Sequence, residues 1–303
     1  MNQWPELNVE RDHETLALLH LAAQMIGKIR VAHAPWMNHG WHVALQPNAR
    51  GLGTLPTAAS GGRTFTLTLD LCRHAIVLWI SDGGREEVPL NAGSIAALYR
   101  RLLTILDAHS LPTRFSGRSS ELSQTIIFAD DTNPREYDRD SAERFRGALA
   151  AMLPVFARFR AGFSGKASPV QFWWGSFDLS VSRFSGRTAP PHPGGVPGLP
   201  DRITREAYSH EVSSAGFWAG GANPAEPSFY SYIYPEPEGF RRQSLEHGNF
   251  DQTYGEFVLP YSEVRGSNGP ERLLMDFFQS AYEAAADLAH WDRASLEREP
   301  IAP

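Results

Sequence analysis

The chain contains the same order of predicted elements twice, and this repeat constrains the fold more than any other feature of the sequence. In each half, a segment with helical periodicity precedes a strand, a glycine-rich break, three more strands and a closing helix. The segments of the first half are residues 14–30, 41–45, 65–71, 77–80, 87–90 and 94–108. Those of the second half are residues 141–163, 177–181, 208–217, 229–234, 257–260 and 271–288. We therefore predict a tandem duplication of one helix–antiparallel strands–helix unit.

The predicted strands alternate apolar and polar residues, which is typical of antiparallel sheets with one covered face and one wetter face. Along residues 64–71, for example, Phe65, Leu67 and Leu69 alternate with threonines. Several strands follow one another without an intervening helix, which argues against a doubly wound parallel sheet. The sequence therefore predicts an α+β fold in which helices cover one face of each sheet.

The domain boundaries follow from the repeat. We predict a first α+β unit over residues 1–111, a connecting segment over 112–137 and a second α+β unit over 138–292. The second unit carries long loops at 186–205 and 235–255, and a tail covers 293–303. Residues 186–200 are rich in proline and glycine, and loops this long are uncommon unless they are functional or disordered.

Charge and hydropathy limit the partners that the chain is expected to have. The formal net charge is −6, from 28 Lys and Arg against 34 Asp and Glu, which disfavours a nucleic-acid-binding surface. No run approaches the roughly 20 apolar residues that span a bilayer, so we expect no membrane partner. A small-molecule ligand is the partner class that remains, and the sequence leaves the oligomeric state open.

Cysteine usage bears on the location of the protein. Cys72 is the only cysteine, so no intrachain disulfide can form, which suits a reducing compartment. The first residues also lack the basic and apolar regions of a secretory signal. We predict a cytoplasmic protein in which Cys72 is a small buried residue at the end of the strand 65–71.

Polar and aromatic residues are concentrated in the predicted strands of the second half. Tyr230 and Tyr232 share one face of their strand, and Asp178 faces the polar side of another. A concave sheet face lined by rings and a few polar groups is typical of small-molecule pockets. We predict that Trp173, Tyr208, Tyr230 and Tyr232 contact a ligand. The alternative, that these residues only cover a solvent-facing sheet, stays open.

Proton transfer is assigned to Asp178, His210 and Glu211 on the same reasoning. Histidine titrates near neutral pH and a neighbouring carboxylate can orient it, but adjacent residues of a strand point to opposite faces. Arg183 or Arg187 is predicted to hold an anionic group of the ligand. An ion pair between one of these arginines and Glu211 is an equally good interpretation.

The first half offers three further ligand-binding residues. His39 and His42 precede a glycine-containing segment with Arg50, whose guanidinium suits a carboxylate or phosphate. Arg50 bracing a turn is the alternative interpretation. No third metal ligand stands at a recognisable spacing from the two histidines, so we predict no metal site.

The sequence lacks the glycine-rich phosphate-binding loops and the nucleophile elbow that mark nucleotide-dependent enzymes and serine hydrolases. Cofactors are therefore undetermined, and so is whether the protein is an enzyme. We expect a protein that binds a small polar or anionic molecule in a cleft of the second unit, with hydrolase- or isomerase-like acid–base chemistry. The alternative is a non-catalytic protein–protein interaction module that uses the aromatic sheet face.

Five stretches together resemble a bacterial family known only as a conserved domain of unknown function. These stretches are residues 38–43, 50–54, 177–187, 208–211 and 229–232. The resemblance runs from about Trp4 to Trp291. It implies a bacterial cytosolic protein with one continuous fold, and it implies no activity, cofactor or catalytic residue.

Overall fold

This computed structural model describes residues 4–91, 93–196, 198–223 and 225–298. These residues contain two antiparallel sheets and seven α-helices. This confirms the prediction of a mixed fold with antiparallel sheets. Among these residues, no helix combines the length and the apolar character needed to cross a membrane. The predicted boundary at residue 1, the end of the predicted tail and Pro197 of the predicted loop 186–205 lie outside the described residues.

The first half of the chain contains two helices and six strands. They are α1 (Val9–His33), β1 (Gln46–Asn48), β2 (Gly51–Gly53), β3 (Thr57–Ala58), β4 (Thr64–Asp70), β5 (Ala75–Ile80), β6 (Arg85–Pro89) and α2 (Ile95–Ala108). The strands form one sheet in the order β1-β2-β4-β5-β6, with β3 paired to β4.

The second half contains the remaining elements. They are α3 (Arg139–Ala161), β7 (Gln171–Trp173), β8 (Asp178–Thr188), α4 (Asp201–Ala207), β9 (His210–Trp218), β10 (Ser228–Tyr234), β11 (Asn249–Asp251), β12 (Glu256–Pro260), α5 (Tyr261–Gly266), α6 (Pro270–Leu288) and α7 (Arg293–Leu296). Their sheet has the order β11-β12-β10-β9-β8-β7. The predicted loop 186–205 thus contains the end of β8 and the start of α4, and the predicted tail begins with α7.

Helix α1 is the centre of the structure. Every residue from Thr15 to Arg30 is buried, and the helix contacts α2, α3, β3 and β4. Helices α3 and α6 contact the second sheet through β8, β9 and β10. Their aromatic side chains interlock, as in the edge-to-face contact of Phe156 and Phe278 at 4.9 Å between ring centroids. Edge-to-face packing suits the charge distribution of aromatic rings, so it adds to the gain from burial.

A buried carboxylate joins the start of α1 to the start of α3. Asp12 accepts hydrogen bonds from Ser141 Oγ at 2.7 Å, from an Arg144 guanidinium nitrogen at 2.6 Å and from the Asn8 amide at 2.9 Å. Burial alone would raise the pKa of Asp12, but these bonds and those from Arg11 outweigh it and hold the pKa well below its usual range. The carboxylate is therefore charged and pins the two helices together.

Two predictions about the first half are wrong. Residues 41–45 were predicted as a strand, but they form turns, and only Leu45 bridges to Phe172. The reason is that His39 (φ 58°) and Gly40 (φ 72°) have a left-handed backbone, which turns the chain just before this segment and is incompatible with an extended strand. Cys72 was predicted to be buried but is exposed, because β4 ends at Asp70 and the chain turns there toward β5.

Close packing of α1 against Trp174 gives a test of the fold. A Cβ added to Gly27 would overlap the Trp174 indole, whereas a Cβ added to Gly266 meets no atom within 4 Å. We expect Gly27→Ala to lower the free energy of unfolding by about 1–3 kcal/mol, despite the better helix propensity of alanine. Gly266→Ala, the matched control, should be neutral or stabilising. Urea unfolding of both variants is the measurement, and equal stability of Gly27→Ala and its parent would contradict this packing.

Candidate functional site

A cavity of about 900 Å³ lies against one face of the second sheet. All six strands of the sheet contribute residues, namely Trp173, Asp178, Ser180, Ser182, Phe184, Val212, Ser214, Trp218, Ser228, Tyr230, Tyr232, Asp251, Glu256 and Val258. The other walls come from the end of α1, residues 36 and 39–43, the segment that contains Ser116, Ser120 and Glu121, and α4 with the residues before it. The cavity therefore lies between elements of both halves of the chain.

The sheet places its polar residues in the cavity by strand alternation. Asp178, Ser180 and Ser182 are two residues apart on β8 and share one face. On β10, Tyr230 lies opposite Gly216 of β9, and a Cβ on that glycine would overlap the tyrosine ring. Glycine at this position therefore lets the ring of Tyr230 lie flat across the sheet.

Asp178 is a buried carboxyl with two hydroxyl donors. Ser176 Oγ donates to one oxygen of the carboxyl and the Tyr230 hydroxyl donates to the other. Burial raises the pKa of Asp178 to about 6, although both hydrogen bonds act to lower it. Asp178 therefore titrates close to neutral pH, which is where a general acid or base is most effective.

Two more carboxyls line the same cavity. Burial, together with the charge of Asp178, raises the pKa of Glu121 to about 7 and that of Glu256 to about 8. Within the described residues, neither carboxyl has a side-chain hydrogen bond or ion pair. The three groups interact with one another, so they titrate together rather than independently.

A polar row on α1 positions the segment that carries Glu121. Gln24 pairs with the backbone of Ser120 in both directions, donating to its carbonyl at 2.9 Å and accepting from its amide at 2.8 Å. Lys28 Nζ donates to Ser120 Oγ at 2.6 Å, and burial lowers the pKa of Lys28 to about 8. Glu121 itself has a left-handed backbone with φ 58°. Such strain in a residue other than glycine is often found at functional sites.

Helix α4 and residues 36–43 are joined at the opposite wall. The Trp36 indole donates to the Glu206 carboxylate, and His39 Nδ1 donates to the Ala207 carbonyl at 3.0 Å. Lys166 Nζ donates to the other ring nitrogen of His39 at 2.6 Å. Burial lowers the pKa of His39, which keeps the ring neutral and able to accept this bond. These contacts fix α4 over the cavity.

Seven of the twelve predicted site residues line the cavity. They are His39, His42, Trp173, Asp178, Tyr208, Tyr230 and Tyr232. His42 Nδ1 accepts from the Met37 amide at 3.2 Å, while its Nε2 is buried and has no hydrogen-bond partner among the described residues. The Tyr208 and Tyr232 hydroxyls share a hydrogen bond of 2.8 Å.

The other five predicted site residues do not line the cavity. Glu211 and Arg187 form an ion pair at 2.7 Å, the alternative that the sequence had left open. Arg183 is buried beside α3, where it donates to the Phe159 carbonyl. Arg50 pairs with Asp70 in the first sheet. His210 lies behind His39, which does line the cavity, and the centroids of the two rings are 5.7 Å apart.

Sequence reasoning missed Lys28, Glu121 and Glu256. Lys28 had a usable signal, since His20, Gln24 and Lys28 stand four residues apart in the otherwise apolar stretch 16–29 of α1 and so share one face. Glu256 comes just before a predicted strand and is two residues from Val258. The two side chains therefore face the same side of the sheet, and both line the cavity. Glu121 lies in a connecting segment without periodicity and had no such signal. In the described ranges, no group of three or more His, Cys, Asp or Glu could hold a metal ion.

Comparison with known proteins yields one family. Residues 4–298 match the model described as "Family of unknown function (DUF5996)". No curated protein and no solved structure matches the chain. The match covers nearly the whole chain and brings no activity with it.

The raised pKa of Glu256 predicts how stability depends on pH. A carboxyl whose pKa is raised from 4.5 to about 8 binds its proton more tightly in the folded state, so stability falls as the pH rises between these values. Glu256→Gln imitates the protonated form. We expect this variant to be more stable than its parent by about 1–3 kcal/mol near pH 8.5 and equally stable near pH 4.

Urea unfolding across this pH range measures the effect. Glu263→Gln is the control, because Glu263 is exposed and does not line the cavity, and its difference from the parent should not change with pH. A Glu256→Gln variant that loses stability at high pH would show that the carboxylate is stabilised there by a partner.

Proposed function

The chain belongs to this family of unknown function, and we propose that it binds a small polar molecule in the cavity and carries out acid–base chemistry at Asp178. The observation that carries the proposal is a cavity with a buried carboxyl in its wall, whose pKa burial raises to about 6 and which is hydrogen-bonded to Tyr230. Perturbed carboxyls in a cleft are characteristic of functional sites.

The size of the cavity supports a small-molecule ligand. Its volume of about 900 Å³ falls within the range of roughly 300–1,000 Å³ that ligand pockets occupy. The aromatic face that includes Tyr230 and Tyr232 lies beneath α4 and residues 39–43. A protein–protein interaction module, the alternative function, needs such a face open to a partner.

Proton transfer at Asp178 fits its surroundings. Above pH 6 the carboxylate can accept a proton from a ligand, and below it the acid can donate one. Burial raises the pKa of Tyr230 well above its usual value, so its hydroxyl stays protonated and keeps donating to Asp178. This arrangement supports isomerase- or hydrolase-like chemistry. An anionic ligand is less well supported, because Arg50, Arg183 and Arg187 do not line the cavity.

We also propose that the two halves are copies of one unit, as the sequence repeat suggests. Each half begins with a long helix, continues with an antiparallel sheet and includes a second long helix after it. Superposition of residues 9–108 on residues 139–288 tests the proposal. Strands that match in the same order support duplication, whereas strands that match only in a permuted order speak against it.

Ligand-induced thermal shifts across a metabolite panel test the proposed function. We expect compounds that raise the melting temperature of the parent to lose about 1–3 kcal/mol of binding free energy in Asp178→Asn and Tyr230→Phe. The control Glu263→Gln should respond like the parent. Shifts of equal size in the parent and in both cavity variants would show that binding takes place elsewhere.

A further inference from the structure

We propose that the ligand of this cavity is a cation, specifically a protonated amine or quaternary ammonium group carried on an apolar or aromatic body. The inference rests on the proposed small-molecule function and names the class of molecule that the site takes. It is carried by the charges of the lining, by one carboxyl without an internal hydrogen bond, and by aromatic side chains whose donors are already used within the protein.

Acidic groups outnumber basic groups in the cavity lining. The acidic residues are Glu121, Asp178, Glu226, Asp251 and Glu256, and the basic residues are Lys28 and Arg202. Glu226 and Arg202 are exposed to solvent. Asp251 accepts hydrogen bonds from two backbone amides of its own turn. The inner wall therefore presents three carboxyls against one ammonium group, which is already hydrogen-bonded to Ser120.

Glu121 is held in the lining with no side-chain hydrogen bond to its carboxyl among the described residues, although the charge of Lys28 attracts it. Its strained backbone is fixed by the pairing of Gln24 with Ser120, and the absence of a side chain at Gly175 admits the carboxyl, which a Cβ there would overlap. The attraction of Lys28 offsets its burial only in part, since the pKa of Glu121 is still raised to about 7. A positively charged ligand group would supply this missing interaction.

The aromatic side chains offer ring faces rather than hydrogen-bond donors. Trp173 Nε1 donates to Ser180 Oγ at 3.0 Å and Trp218 Nε1 donates to the Ser176 carbonyl at 2.9 Å, so both indole donors are used within the protein. The Tyr230 hydroxyl is likewise committed to Asp178. Ring faces and carboxyl oxygens attract a cation, whereas carboxylates repel an anion.

The carboxyls make binding of a cation depend on pH. The titratable groups that line the cavity are Lys28, His39, His42, Glu121, Asp178, Arg202, Tyr208, Glu226, Tyr230, Tyr232, Asp251, Tyr254 and Glu256. Of these, Asp178, Glu121 and Glu256 have pKa values of about 6, 7 and 8. A bound cation favours their charged forms, so binding should release protons near neutral pH, and affinity should rise with pH while the ligand stays protonated.

Isothermal titration calorimetry of the full chain with four probes tests the inference. The probes are 2-phenylethylamine, benzyltrimethylammonium, 2-phenylethanol and 3-phenylpropionate, which share an aromatic body and differ in charge. We expect the two cations to bind about tenfold more tightly than the alcohol, and the carboxylate more weakly still. Titrations of 2-phenylethylamine in two buffers of different ionisation enthalpy should show proton release, a result that needs no variant.

Matched variants locate the binding. Glu121→Gln should weaken binding of both cations about tenfold and leave binding of 2-phenylethanol unchanged, whereas Glu263→Gln should change neither. A melting curve like that of the parent establishes that each variant is folded. Equal or tighter binding of the alcohol or the carboxylate overturns the cation assignment but leaves small-molecule binding standing. Binding of none of the four probes also overturns it. The proposed function fails separately, if the metabolite panel produces no shift or shifts of equal size in the parent, Asp178→Asn and Tyr230→Phe.

Discussion

Burial of α1 on all sides is the constraint on which the rest of the structure depends. A helix with no solvent-facing side must satisfy each of its polar side chains inside the protein, since an unpaired buried amide or ammonium group is costly. His20, Gln24 and Lys28 meet this requirement on one face, where they bond the Gly175 carbonyl and the Ser120 backbone and hydroxyl. The same bonds fix the segment that carries Glu121. The same hydrogen bonds therefore satisfy the buried polar groups of α1 and hold the cavity wall in place.

The second sheet has one face in the hydrophobic core and the other face in the cavity wall. On one face, apolar side chains such as Leu179, Val181 and Phe229 are fully buried and belong to the core with α3 and α6. On the other, Asp178 and Tyr230 line the cavity. Strand alternation alone produces this division, because neighbouring residues point in opposite directions. Changes on the cavity face can therefore alter the ligand without disturbing the core beneath it.

Periodicity explains how much of this could be predicted. The long helices and the strands β4, β8, β9 and β10 follow local patterns, and the same alternation placed Asp178, Tyr230 and Tyr232 in one wall. Strand parity also explains why Arg183, which was predicted to contact the ligand, does not line the cavity. Arg183 is five residues after Asp178 and so points to the opposite face of β8. Glu121 could not be predicted, because its position depends on long-range bonds from α1 rather than on its neighbours in sequence. The turn at His39 was missed because a left-handed residue leaves no periodic signal.

The three inner carboxyls make the unliganded cavity energetically costly. Burial raises the pKa of Asp178, Glu121 and Glu256, which means that their charged forms destabilise the folded protein near neutral pH. If the cavity bound no ligand, the folded protein would be more stable with apolar residues at these three positions. The chain tolerates the cost because its core is large and because the charged Asp12 links α1 to α3 independently of the cavity. A positive ligand group would remove most of that cost by giving the carboxylates a counter-charge, so ligand binding and stability should be coupled through the same three side chains.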